Sequence, residues 1–155
     1  MTMTSELALL ELTVIDAEAA PLTFAEAAKE MLNRGLPPEL VTRLEDLWDK
    51  TKVIGGQVIA IGKIIVKKII DFFLANPGLA IGLVIGAAVG ALVSASIPFI
   101  GALLAPIVVV LTTLYGYNLQ TGGRDSLLYS TIKLATEFFK LLLDVFQAVV
   151  SFVKN

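Results

Sequence analysis

Cysteine and histidine are both absent from this chain of 155 residues. Without them there is no disulfide framework, no thiol chemistry and no zinc site, and cysteine usage says nothing about redox compartment. Charge is also scarce. Charged residues make up 17% of the chain against 56% apolar, with a mean hydropathy of +0.82, more apolar surface than one small soluble core needs. From Phe72 to Gly123 there are 52 consecutive residues without one Asp, Glu, Lys or Arg. Basic residues are missing from the first 20 positions, which hold Glu6, Glu11, Asp16 and Glu18. That end therefore lacks the basic-then-apolar pattern of a secretory signal, and the uncharged stretch itself is expected to direct insertion.

The net charge of −2 conceals two halves of opposite sign. Residues 1–50 carry ten acids against four bases, and residues 51–155 four acids against eight bases. The acidic half is the water-soluble one, which argues against nucleic acid as a partner because phosphate binding needs a clustered basic footprint. The basic half is the greasy one, as expected if its flanks face anionic lipid.

As one helix the uncharged stretch would far outrun a bilayer, whereas two crossings of about 20 residues fit a hydrocarbon core of about 30 Å. The expectation is an all-α membrane protein with a transmembrane hairpin over residues 76–119. Asn76 and Pro77 open the first span, and Leu79, Ile81, Leu83, Val84, Ile85, Val89, Leu92, Val93 and Ile97 favour its insertion by roughly 3 to 5 kcal/mol. Within it Gly78, Gly82, Gly86 and Gly90 recur every fourth residue and Ser94 continues the series. Such a seam lets helix backbones approach closely in lipid, with the second span or a neighbouring copy as the partner. Residues 94–101 form an uncharged turn, and the second span, from Ala102 to Tyr117, has Gly101 and Ala105 as another small pair and Pro106 as a kink. Lys63, Lys67 and Lys68 precede the hairpin and Arg124 follows it, so the positive-inside rule places both termini in the cytoplasm, with the hairpin in the cell (inner) membrane. Phe72, Phe73, Tyr115 and Tyr117 would share one interface as an aromatic belt.

The flanks are expected to be helical. Residues 1–50 read as an acidic soluble region. Its residues 6–15 suit a short helix, with a strand as the alternative because the apolar run is too compact for periodicity to decide. Thr23 and Glu26 make a capping box for a second helix that Gly35 closes, and Pro37 and Pro38 open a third with Leu40, Val41, Leu44 and Leu47 on one side. Residues 51–75 read as an amphipathic helix, either lying in the interface with Lys63, Lys67 and Lys68 at the headgroups or simply covering its neighbours. The run from Gly56 to Lys63 is not a phosphate-binding loop: five residues instead of four separate its glycines, and Ile64 stands where Ser or Thr is needed. Over residues 124–155, Ser126, Ser130, Lys133, Glu137, Lys140, Asp144, Gln147, Ser151 and Lys154 make an unbroken polar stripe on a helix whose other positions are nearly all apolar. Lys133 with Glu137 and Lys140 with Asp144 are opposite charges one turn apart. Three roles fit such a stripe: lining a water-filled space in an oligomer, lying at an interface, or packing in a larger bundle.

Catalysis finds no support. A Ser130 and Lys133 dyad lacks a third group to orient it, and no cofactor or metal is implied. The segment Pro77–Tyr117 resembles glycine-zipper two-helix membrane hairpins, of the kind found among holin-like and defence-associated pore formers, and its uncharged tip, Ile97–Pro106, resembles the hydrophobic hairpin of colicin-type pore formers. Colicins shield that hairpin with a larger set of soluble helices than a chain this short would offer. The resemblance implies a membrane protein that assembles with copies of itself. The expected function is a homo-oligomeric pore or other membrane permeabiliser. The alternatives are a non-conducting scaffold that recruits a soluble partner through residues 1–50, or a component of a virion or injection machine.

Overall fold

The computed structural model describes residues 4–117 and 126–154. Three short helices come first: α1 (Ser5–Ala19), α2 (Phe24–Asn33) and α3 (Pro38–Trp48). Their ends follow local chemistry. Thr4 and Thr23 cap α1 and α2 by accepting the amide protons of Leu7 and Glu26, both at 3.2 Å. At the far end of α2, Gly35 takes φ +82°, and the Leu36 and Gly35 amides bond back to Met31 and Leu32, a Schellman closure that a Cβ-bearing residue would strain. Pro38 occupies the first turn of α3, whose buried side is Leu40, Leu44, Leu47 and Trp48.

Residues 51–75, expected as one helix, divide. Strands β1 (Lys52–Ile54) and β2 (Gln57–Ile59) form an antiparallel hairpin before α4 (Ile61–Ala75) begins. The reason is the Gly55–Gly56 pair, with φ +59° and +80°, a two-residue turn whose twist suits adjoining strands and which few other residues can adopt. A third strand, β3 (Val153–Lys154), joins β1 antiparallel and pins the C-terminal end of the chain to this hairpin.

Helix α4 leads to α5 (Ile81–Ser94), α6 (Pro98–Tyr115) and α7 (Ser126–Ala148), so the described part of the chain is an all-α assembly apart from the small sheet. Helix α5 is its centre. Gly82 to Leu92 are buried without interruption, enclosed by α4, α6 and α7. A helix apolar on all sides must be covered on all sides, by protein or by lipid, and here the chain's own helices cover it. Helix α5 has 14 residues, about 21 Å of rise, and so is shorter than a bilayer core. Of the two crossings expected, α6 alone is a helix long and apolar enough to span a membrane among the described residues.

Short as the chain is, its helices shelter α5, the first half of the hairpin, though not the outer side of α6. Helix α4 supplies Ile65, Ile69, Phe72 and Phe73 to the core, and α7 supplies Leu128, Ala135, Phe139, Val145 and Phe146. Phe72 packs on Phe138 and Phe139 with ring centroids 5.4 and 5.9 Å apart, so Phe72 and Phe73 are core residues here and not an aromatic belt. Gly62 allows α3 and α4 to meet: its α-carbon lies against the Leu47 carbonyl, leaving no room for a side chain.

Candidate membrane-contact surface

Helix α6 is uncharged throughout, yet only five of its 18 residues are buried: Phe99, Ile100, Leu104, Ile107 and Leu111. These lie on one side at helical spacing. The opposite side presents Gly101, Ala102, Ala105, Pro106, Val109, Thr112 and Thr113 to the exterior. Val109 is 64% exposed. The polar atoms on this side are internally occupied: Thr112 and Thr113 donate their hydroxyls to the carbonyls of Val108 and Val109, both at 2.9 Å. A threonine so bonded offers mainly its methyl group outward, which leaves a face compatible with lipid. Pro106 sits on the same exposed side. Its ring removes the bond to the Ala102 carbonyl.

The small residues divide by environment. Gly78 precedes α5, and a Cβ there would meet nothing within 4 Å. Gly82 and Gly86 are covered by tyrosines: a Cβ on Gly82 would lie 2.6 Å from the Tyr115 ring, and one on Gly86 would lie 2.8 Å from the Tyr117 ring and 3.6 Å from Leu128. Those two rings stack on each other with centroids 5.4 Å apart. In this structure the glycine seam is therefore filled by the chain's own C-terminal end of α6 and start of α7. Gly90 is buried, and Ser94 donates its hydroxyl to the Gly90 carbonyl at 2.7 Å. Gly101 and Ala105 lie on the exposed side of α6, with open space around a Cβ at Gly101.

The hairpin tip is tucked in. Ile97, Phe99 and Ile100 are buried, and the Phe99 ring meets Phe146 of α7 edge-on at 5.8 Å. Ser96, at the turn, has φ +57°, the left-handed region that a serine enters at a cost of about 1 kcal/mol.

Of the polar stripe on α7, Ser130, Lys133, Glu137, Lys140, Asp144 and Gln147 are exposed, as is Ser151 beyond the helix. Lys140 pairs with Asp144 at 3.6 Å, and the Lys133 ammonium stands 4.8 Å over the Tyr129 ring. Arg124 and the side chain of Ser126 lie outside the described residues. The three lysines of α4 have partners within the chain. Lys63 donates to the Ala20 carbonyl at 3.1 Å and lies 5.3 Å from the centre of the Trp48 ring. Lys67 pairs with Asp71 at 2.9 Å, and Lys68 covers the Phe138 ring at 4.8 Å. Each is half-exposed, with its stem on apolar surface.

Open grooves flank the bundle. One of about 470 Å³ between α3 and α6 has Arg43, Asp46, Asp49 and Lys50 on one wall and Leu103, Pro106 and Ile107 on the other. The second, of about 270 Å³, runs between α1, α4 and α7. Among the described residues no group of three or more His, Cys, Asp or Glu is placed to hold a metal ion.

Sequence reasoning gave Gly101 and Ala105 to helix packing, whereas here they lie with Val109 and Thr113, at four-residue spacing, on the exposed side of α6. It missed Tyr115 and Tyr117 as the groups that fill the glycine seam, because nothing local brings an aromatic ring to a glycine 30 residues away. Set against family models, curated proteins and solved structures, the chain matches none of them.

Proposed function

We propose that this protein permeabilises membranes by assembling with copies of itself, and that the bundle described above is the form it holds before α5 meets lipid. The observation that carries this reading is α6. A core helix of a water-soluble protein that is free of charge is normally buried over most of its length, whereas α6 buries five of its 18 residues and leaves nine exposed. Lipid is the solvent that suits such a face.

The sequence of events follows from what holds each helix. Helix α6 engages the bilayer through Ala102, Ala105, Pro106 and Val109 without disturbing the core. Release of the tip then separates Phe99 from Phe146, and the strain at Ser96 is relieved as the hairpin opens. Helix α5 becomes long enough to cross when it winds back to Pro77, giving 18 residues and about 27 Å. Leaving the bundle uncovers Gly82, Gly86 and Gly90, which become a close-packing face between copies in lipid. Lys133, Glu137, Lys140 and Asp144 stay in water throughout. Lys63, Lys67 and Lys68 keep their flank at the cytoplasmic surface of the inner membrane, with both termini on that side.

The test uses dye-loaded vesicles with an anionic lipid fraction. Wild-type protein is expected to release dye, and Ala105→Glu with Val109→Lys, placed wholly on the outer face of α6, to abolish release while leaving the circular dichroism spectrum and melting profile unchanged. The chain has no cysteine of its own, so a Phe99→Cys, Phe146→Cys pair can be bridged by a short cleavable cross-linker. Release should stop when the bridge is made and return when it is cut. Undiminished leakage from the charged α6 variant or from the bridged protein would overturn the reading.

A further inference from the structure

Helix α1 carries a second exposed apolar feature, independent of the membrane reading. Leu7, Leu10 and Val14 are 47%, 62% and 46% exposed. With Ala17, also exposed, they are spaced three, four and three residues apart, the a and d positions of two heptads. In that register Glu11 and Glu18 fall at e, and Glu6 and Thr13 at g. A seam of apolar side chains bordered by charges at e and g is the arrangement by which paired helices choose partners. All three charged borders here are acidic, and α1 contains no base.

None of these carboxylates is in an ion pair among the described residues. The pairs there are Arg43–Asp46, Lys67–Asp71 and Lys140–Asp144. The groove beside the seam is lined by Glu11, Val14 and Glu18 on the α1 side and by Leu141, 58% exposed, on the α7 side. Its two lysines, Lys67 and Lys68, are held by Asp71 and by the Phe138 ring. A helix laid on the seam would thus extend its apolar contact across the groove, and the charges it meets along α1 are acidic.

We propose that α1 is a docking surface for an amphipathic helix of another protein, about two heptads long, with apolar a and d residues and Lys or Arg at e and g. A second copy of this chain is disfavoured as the occupant, because the two-fold pairing of α1 with itself sets glutamates against glutamates. An anionic membrane is disfavoured by the same charges, since interfacial helices are rich in Lys and Arg.

The experiment measures fluorescence anisotropy of two labelled synthetic 21-residue peptides titrated with the full chain. Both have Leu at a and d and Ala or Gln at b, c and f. One has Lys at e and g and the other Glu. The lysine peptide should bind at least about tenfold tighter than the glutamate peptide, and added salt should narrow the gap. Leu10→Asp adds an acid on an exposed site, yet should weaken the lysine peptide at least about tenfold, since the apolar contact and not diffuse charge holds it. Glu11→Lys with Glu18→Lys should reverse the preference. Equal binding of the two peptides, or Leu10→Asp binding the lysine peptide as tightly as wild type, overturns the proposal. So does loss of vesicle binding by Leu10→Asp with peptide binding intact, which would assign the seam to lipid. Because dye release by Leu10→Asp should equal that of wild type, failure here and failure of the permeabilising reading are separable.

Discussion

Helices α5 and α6 are neighbours in the chain, lack charge and would be taken for equivalent halves of a hairpin, yet the fold treats them as opposites. Every residue of α5 from Gly82 to Leu92 is buried, while α6 buries five residues of 18. Hydropathy is therefore a poor guide to position in the bundle. What distinguishes them is side-chain size around the helix. Helix α5 carries Gly82, Gly86 and Gly90, so bulky neighbours such as Tyr115 and Tyr117 can close over it. Helix α6 carries its glycine and alanines, Gly101, Ala102 and Ala105, on its exposed side. The same residue type marks a tight contact in one helix and an open face in the other.

The contrast can be broken most severely by matched glycine substitutions. Gly86→Leu forces atoms into the Tyr117 ring, and overpacking of this kind costs about 1–3 kcal/mol or more. Gly101→Leu meets open space and should gain about 0.5–1 kcal/mol from helix propensity. Urea midpoints of the two variants should move in opposite directions, and a shared direction would remove the distinction drawn between the helices. Because Gly86→Leu disturbs the monomer, it does not report on assembly by itself.

Val109→Lys sharpens the functional side of the comparison. Its stability should stay within about 0.5 kcal/mol of wild type, as for surface substitutions generally. Its dye release should nevertheless fall at least about tenfold, since a lysine near mid-helix costs about 2.5–3.5 kcal/mol on insertion. Ser96→Gly addresses the joint between the two helices. Glycine accepts φ +57° without strain, so the bundle should gain about 0.5–1 kcal/mol in urea unfolding and release dye more slowly. The smallest effect belongs to a part that the proposed insertion leaves in water: Lys140→Ala breaks an exposed pair with Asp144 and should cost no more than about 0.5 kcal/mol, with leakage unchanged.

Legibility follows the range of the interaction that decides each feature. The capping threonine of α2, its Gly35 closure and the buried side of α3 could be read directly, because each depends on residues within a turn or two. The helix at residues 6–15 was ambiguous by periodicity and is resolved as α1, through the Thr4 cap and the bond from the Ala60 amide to Asp16, which ties it to the start of α4. The hairpin at Gly55–Gly56 left a local signal that the surrounding Val and Ile residues obscured. Its third strand left none, since Val53 and Lys154 are a hundred residues apart in the chain.

What the sequence by itself determined is where charge, caps and helix periodicity fall: an acidic helical N-terminal region, a long uncharged middle, and a C-terminal helix with one polar stripe. Those properties depend on covalent neighbours and on solvation of individual side chains. Only the tertiary structure decided which apolar surface is sheltered and by what. Shelter is a competition among all apolar faces for a limited number of covering helices, and its outcome depends on the volumes that meet at each contact. That is why α5 is enclosed, why the outer side of α6 and the seam on α1 are left open, and why Tyr115 and Tyr117 close over Gly82 and Gly86.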